Sequence, residues 1–94
     1  MPPLSPEHEA LGRALRMLRA RHSLSQEGLA SAAGLDRSYV GSIERGEANV
    51  GYATLRRLAD AFAMRTSDLV RRAEDEADVM VAALQPGSDR PDAQ

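Results

Sequence analysis

The chain contains no cysteine. Disulfide frameworks, thiolate chemistry and cysteine-ligated zinc are therefore excluded, and a reducing compartment is compatible. Lysine is absent as well, all 12 basic residues being arginine. Every cationic contact must come from a planar guanidinium, a group suited to bidentate binding of phosphate. His8 and His22 are the only imidazoles. Neither has an ordered carboxylate or serine partner, and no His/Asp cluster has ligand spacing. Catalysis, a metal and a cofactor are accordingly not expected. No apolar run approaches the roughly eighteen residues of a membrane span, and "MPPLSPEHEA" lacks the basic start and apolar stretch of a secretory signal. These absences lead to the expectation of a soluble, cytoplasmic protein. At 94 residues, the chain suits one compact domain with tails.

A formal net charge of −2 argues at first against a nucleic-acid partner. The average conceals a division. Residues 1–9 carry two acids, residues 10–65 carry nine arginines against five acids, and residues 66–94 carry three arginines against seven acids. The middle is basic by a net +4 and the end acidic by a net −4.

The apolar spacing predicts five helices and no strand, an all-α fold. Ser5 followed by Pro6 opens the first, with Leu11, Leu15 and Leu18 on one face and an end near His22. Ser25 caps a short second helix, whose inward face is Leu29, Ala30 and Ala33 and which Gly34 terminates. Asp36 is expected to cap a third, "RSYVGSIER", anchored by Val40 and Ile43 and stopped by Gly46. After the loop "EANVGY", a fourth helix carries Leu55, Leu58, Ala59 and Phe62 at one face. A fifth starts at Thr66 or Ser67 and runs to about Leu84. The resulting organisation is a flexible terminus at 1–5, a domain at 6–84 that includes a terminal helix at about 66–84, and a disordered tail, "QPGSDRPDAQ", at 85–94.

The segment "GLDRSYVGSIERG" carries the functional signal. Two short helices joined by a glycine-containing turn let one helix enter a DNA major groove while its neighbour crosses the backbone. The apolar positions leave the outer face of the third helix to Arg37, Ser38, Gly41 and Ser42. A face needing only solubility would favour strong helix formers, whereas this one uses arginine and small residues. Small residues permit close approach to a groove floor, and arginine reaches guanine.

Residues 15–64, "LRMLRARHSLSQEGLASAAGLDRSYVGSIERGEANVGYATLRRLADAFAM", resemble the lambda-repressor-like helix-turn-helix proteins of the Cro/repressor and Xre type. "SQEGLA" and "YVGSIERG" together carry the likeness. Within that family, the chain is similar to the small controller proteins of restriction-modification systems. The resemblance implies a five-helix DNA-binding fold in which Arg37, Ser38, Tyr39 and Ser42 read bases. Tyr39 has two readings, stacking on sugar or a thymine methyl, or burying its ring against helix two or four. By the same resemblance, Gln26, Arg45, Asn49 and Thr54 contact the DNA backbone, and Arg19 and Glu44 form an internal salt bridge between helix one and the end of helix three. Two departures stand out: Gly28 where relatives often have glutamate, and no proline in "VGYATL".

A module this small contacts few base pairs, so two copies on half-sites about 34 Å apart are expected. Val70, Ala73, Ala77, Met80 and Leu84 form a heptad-like stripe for a homodimer interface, part of it packing back on helix four. Too few residues remain for an effector domain, and none is expected. The alternative is an antitoxin-like module of the same fold that binds a toxin partner, which the short polar tail disfavours.

Overall fold

The computed structural model describes residues 1–84, the side chain of Leu84 excepted; the expected tail at 85–94 lies outside the described residues. Five helices follow one another: α1 (Pro6–Arg21), α2 (Gln26–Ala33), α3 (Arg37–Glu44), α4 (Tyr52–Ala61) and α5 (Thr66–Leu84). There is no strand among the described residues.

Local chemistry accounts for the starts. Ser5 accepts the backbone N–H of His8 and Pro6 opens α1, while Ser25 accepts the N–H of Gly28 at the head of α2. Asp36 differs from its expected role. It occupies the cap position of α3, but its carboxylate accepts the hydroxyl of Ser38 at 2.6 Å and takes no backbone N–H. A neighbouring hydroxyl two residues on competes successfully for the same oxygen.

The core gathers Leu15, Leu18, Leu29, Val40, Ile43, Leu58, Phe62 and Leu69, with Ala30, Ala33 and Ala59 filling the gaps. All five helices contribute to it. Leu11, Leu24, Leu35, Leu55 and Met64 pack against its edge. Gly12 allows α1 to lie directly on the end of α3: a Cβ there would stand 2.2 Å from the carbonyl oxygen of Glu44. No side chain fits that contact. The helical cost of a mid-helix glycine is thus exchanged for a backbone approach.

The packing of α5 differs from expectation in its neighbour within the chain. It lies chiefly along α1, with a smaller contact to α4. Ala73, Ala77 and Met80 are half-buried on one side of the helix, together with Arg72 and Glu76. Alanine lets two helices approach closely. Val70, 37% exposed, stands at the other side, with Leu55, Met64 and Tyr52 across an open groove between α4 and α5. Leu84 lies outside the described side chains.

The first residues differ too. Leu4 N–H donates to the Gly46 carbonyl at 2.8 Å, and Ser5 caps α1. The stretch assigned to a flexible terminus is hydrogen-bonded to the fold from Leu4 onward.

Candidate nucleic-acid interface

The rear of α3 is fixed by Val40 and Ile43, both fully buried. That places Arg37 and Ser38 outward, exposed, with Ser42 half-buried beside them and Arg45 exposed at the helix end. Gly41, expected on the outer face, is buried. The side chains of Gln26 and Arg45 fold over it: a Cβ at Gly41 would lie 3.2 Å from Arg45 Nη1 and 3.8 Å from Gln26 Oε1. The outer face thus has a floor of glycine covered by two polar arms.

One connected set of hydrogen bonds runs from the core to this surface. Arg19 Nε and Nη2 donate to the two carboxylate oxygens of Glu44 at 2.6 and 3.0 Å. Gln26 Nε2 donates to Glu44 Oε1 at 2.9 Å, and Arg37 Nη1 donates to Gln26 Oε1 at 3.2 Å. The order of donors is dictated chemically. An ionised carboxylate only accepts, so the amide nitrogen of Gln26 must face Glu44 and its oxygen must face Arg37. Gln26 thereby holds the guanidinium at the start of α3.

Glu44 is the one charged residue in the core among the described residues, 2% exposed. Burial of such a charge is costly unless it is paired and fully hydrogen-bonded. Here the pairing is complete, and Arg16 Nη1 also donates to its backbone carbonyl at 2.5 Å. Hydrogen bonding to Glu44 holds the Arg19 guanidinium above its ordinary pKa; burial opposes that rise and the carboxylate charge adds to it. A group raised in this way contributes its stability fully below its unfolded pKa. The arginine side of the pair therefore stays intact at acid and neutral pH and is lost only in strong alkali.

The remaining sequence-predicted residues fall around this centre. The Tyr39 ring is half-buried against the core, and its hydroxyl donates to the Asn49 carbonyl at 3.5 Å. Ser42 donates back to the carbonyls of Ser38 and Tyr39 at 3.0 and 3.1 Å. Arg45 pairs with Glu47 at 3.2 Å while remaining 59% exposed. Asn49 is exposed in the α3–α4 loop, and its Oδ1 lies 2.9 Å from His8 Nε2. Thr54 is half-buried in the first turn of α4.

Sequence reasoning passed over Gly12, Arg16, His8 and Arg57. Gly12, a glycine interrupting an otherwise good helix, was the one available signal. Arg57 donates to the carbonyl of Gly34 at 3.3 Å and so braces the turn between α2 and α3. His22, near which the first helix was expected to end, closes α1 and also sets its ring 5.1 Å from that of Phe62. No group of His, Cys, Asp or Glu among the described residues could hold a metal ion. None of the described helices is long and apolar enough to cross a membrane.

Two short helices, α2 and α3, meeting at a left-handed glycine beneath an arginine-bearing outer face define a helix-turn-helix module. A helix-turn-helix domain family matches residues 10–73. Control protein C.SmaI of Serratia marcescens is 44% identical over 64 residues, spanning 68% of this chain and 76% of that protein. The crystal structure of the restriction-modification controller protein C.AhdI from Aeromonas hydrophila superposes with a TM-score of 0.67 at 43% identity, covering 69% of this chain and 98% of that one. The clp gene regulator ClgR of Corynebacterium glutamicum gives a TM-score of 0.78 at 28% identity over 84% of each chain. The chain belongs to the helix-turn-helix domain family, in the company of the restriction-modification control proteins.

Proposed function

We propose that the protein is a sequence-specific double-stranded-DNA-binding transcriptional regulator, working as a homodimer on a pseudo-palindromic operator with α3 in the major groove. The observation that carries this reading is the hold on Arg37: a guanidinium projecting from the head of α3, oriented by Gln26, over a surface otherwise lined with serine and glycine. Arg37 reads guanine, and Ser38 and Ser42 lie close to the groove floor with the edge of Tyr39 alongside. Arg45, Asn49 and Thr54 meet phosphates and set the register. Gln26 acts mainly through Arg37. Likeness to a controller protein and a gene regulator supports a regulatory role over an enzymatic one, and such a role belongs in the cytoplasm.

The second copy docks across the groove between α4 and α5, where Tyr52, Leu55, Met64 and Val70 leave apolar surface open. In this reading residues 6–84 are the DNA-binding unit. Its fifth helix serves both the fold and the partner.

Selection of bound fragments from genomic DNA by the purified protein, repeated with Arg37→Ala, tests the proposal. A two-fold symmetric motif with half-sites about ten base pairs apart is expected, relaxed at one position in the variant. Failure to enrich any motif overturns it and favours a protein partner.

A further inference from the structure

The segment that opens α1 is fastened to the α3–α4 loop at three places. Leu4 N–H donates to Gly46 O at 2.8 Å. At Gly46, whose φ is +75°, a Cβ would lie 3.0 Å from that of Pro3 and 3.1 Å from the backbone of Glu9. Two stretches of chain touch there because glycine has no side chain. The third fastening is the contact between His8 Nε2 and Asn49 Oδ1 at 2.9 Å.

That third contact has a direction. Ser5 Oγ accepts the backbone N–H of His8 at 3.1 Å and lies 2.5 Å from His8 Nδ1. Asn49 Oδ1 is an amide oxygen and only accepts, so the proton of this contact sits on His8 Nε2. A neutral imidazole protonated at Nε2 accepts at Nδ1, where the Ser5 hydroxyl donates. Nε2–H therefore donates to Asn49 Oδ1, and the amide cannot turn that oxygen outward. Its NH2, with two unused donors, is presented at an exposed position bordering α3, where Tyr39 reaches the same residue's carbonyl.

We infer that Ser5 and His8 are positioning residues for Asn49: the helix cap sets the histidine tautomer, and the histidine holds the amide so that its donors face a DNA phosphate beside the recognition helix. A phosphodiester offers only acceptors. An amide free to rotate would present its oxygen to that charge half of the time, so a fixed orientation favours binding. This inference rests on the DNA-binding reading above, and the three residues lie on two separate elements with no sequence signal to join them.

A double-mutant cycle tests it, read as fluorescence anisotropy on a duplex recovered in the selection, with thermal melts alongside. Asn49→Ala should weaken binding roughly five-fold, as loss of one hydrogen bond does, His8→Ala about two-fold, as release of the amide to both orientations does, and the double variant should be no weaker than Asn49→Ala. His8→Gln, which keeps a side-chain N–H donor, should recover most of the affinity. Because an amide displaces no counterion, neither alanine variant should alter the salt slope, whereas Arg45→Ala should flatten it by about one. Additive losses, or full affinity in His8→Ala, would overturn the positioning role while leaving DNA binding intact. If the unaltered protein binds no duplex at all, the functional reading falls first and the inference with it.

Discussion

Glu44 receives donors from two helices: on α1, two bonds from Arg19 to its carboxylate and one from Arg16 to its backbone carbonyl, and on α2, one from Gln26 to its carboxylate. Removing its carboxylate strands the Arg19 guanidinium and frees the Gln26 amide, and loss of one partner of a buried pair costs about 3 kcal/mol or more. Removing Arg37 leaves no buried group without a partner. Glu44→Ala should therefore lower the melting temperature well beyond Arg37→Ala, with DNA affinity ranking the two in a different order for an intact fold. Equal melting losses would show that Glu44 has no structural role. This centre was legible only through resemblance, since nothing in the spacing of residues 19 and 44 brings them together. The hold of Gln26 on Arg37 was not legible at all. It depends on long side chains crossing over Gly41, and a helical projection of α3 alone shows that glycine as outward-facing surface. His8 and Asn49 are likewise joined only by the path of the loop.

At the level of elements, α1 to α4 end alike. Ser23, Gly34, Gly46 and Ala63 each take a positive φ, of 55°, 70°, 75° and 56°. In each case the following N–H reaches back to a carbonyl five residues earlier: Leu24 to Arg19, Leu35 to Ala30, Glu47 to Ser42 and Met64 to Ala59. Two corners use glycine and two do not. The glycine corners were readable in the sequence, and so were the serine caps and the apolar faces, which is why all five helices were placed within a residue or two. The ends at Ser23 and Ala63 carry no such mark and had to be inferred from where the apolar pattern stopped. Ala63 is exposed and bears the steric cost of the left-handed region with its Cβ. Ala63→Gly should raise stability by about 0.5–1 kcal/mol, measured by urea denaturation at unchanged m-value. A loss of stability would mean that flexibility in the unfolded chain outweighs relief of the corner.

Over the whole molecule, charge and topology divide the labour. The arginine excess lies within residues 10–65, with Arg13, Arg16, Arg19 and Arg21 on α1, whereas α5 holds Asp68, Glu74, Asp75, Glu76 and Asp78 against Arg71 and Arg72. The negative total thus comes from the C-terminal part of the chain, and the net charge alone would have pointed away from nucleic acid. If a dimer engages about six to ten phosphates, affinity should fall by roughly 10³ to 10⁵ between 50 and 200 mM salt, measured by anisotropy titration. A flat response would contradict binding through arginine. The seam of α5 on α1 was the part of the architecture that periodicity did not show, because a stripe of alanines spaced for a helical partner does not say which helix that partner is.

That seam also sets a timetable. The four corners close through bonds between near neighbours, and such local contacts form quickly. The broadest helix–helix contact joins α1 to α5, the first helix synthesised to the one made after the other four. On a ribosome, the side of α1 that meets α5 must therefore wait some seconds for its partner, even as α3 comes to pack on α1. The order of synthesis thus makes closure of this core, with Leu69 its contribution from α5, wait for the last of the five helices to emerge.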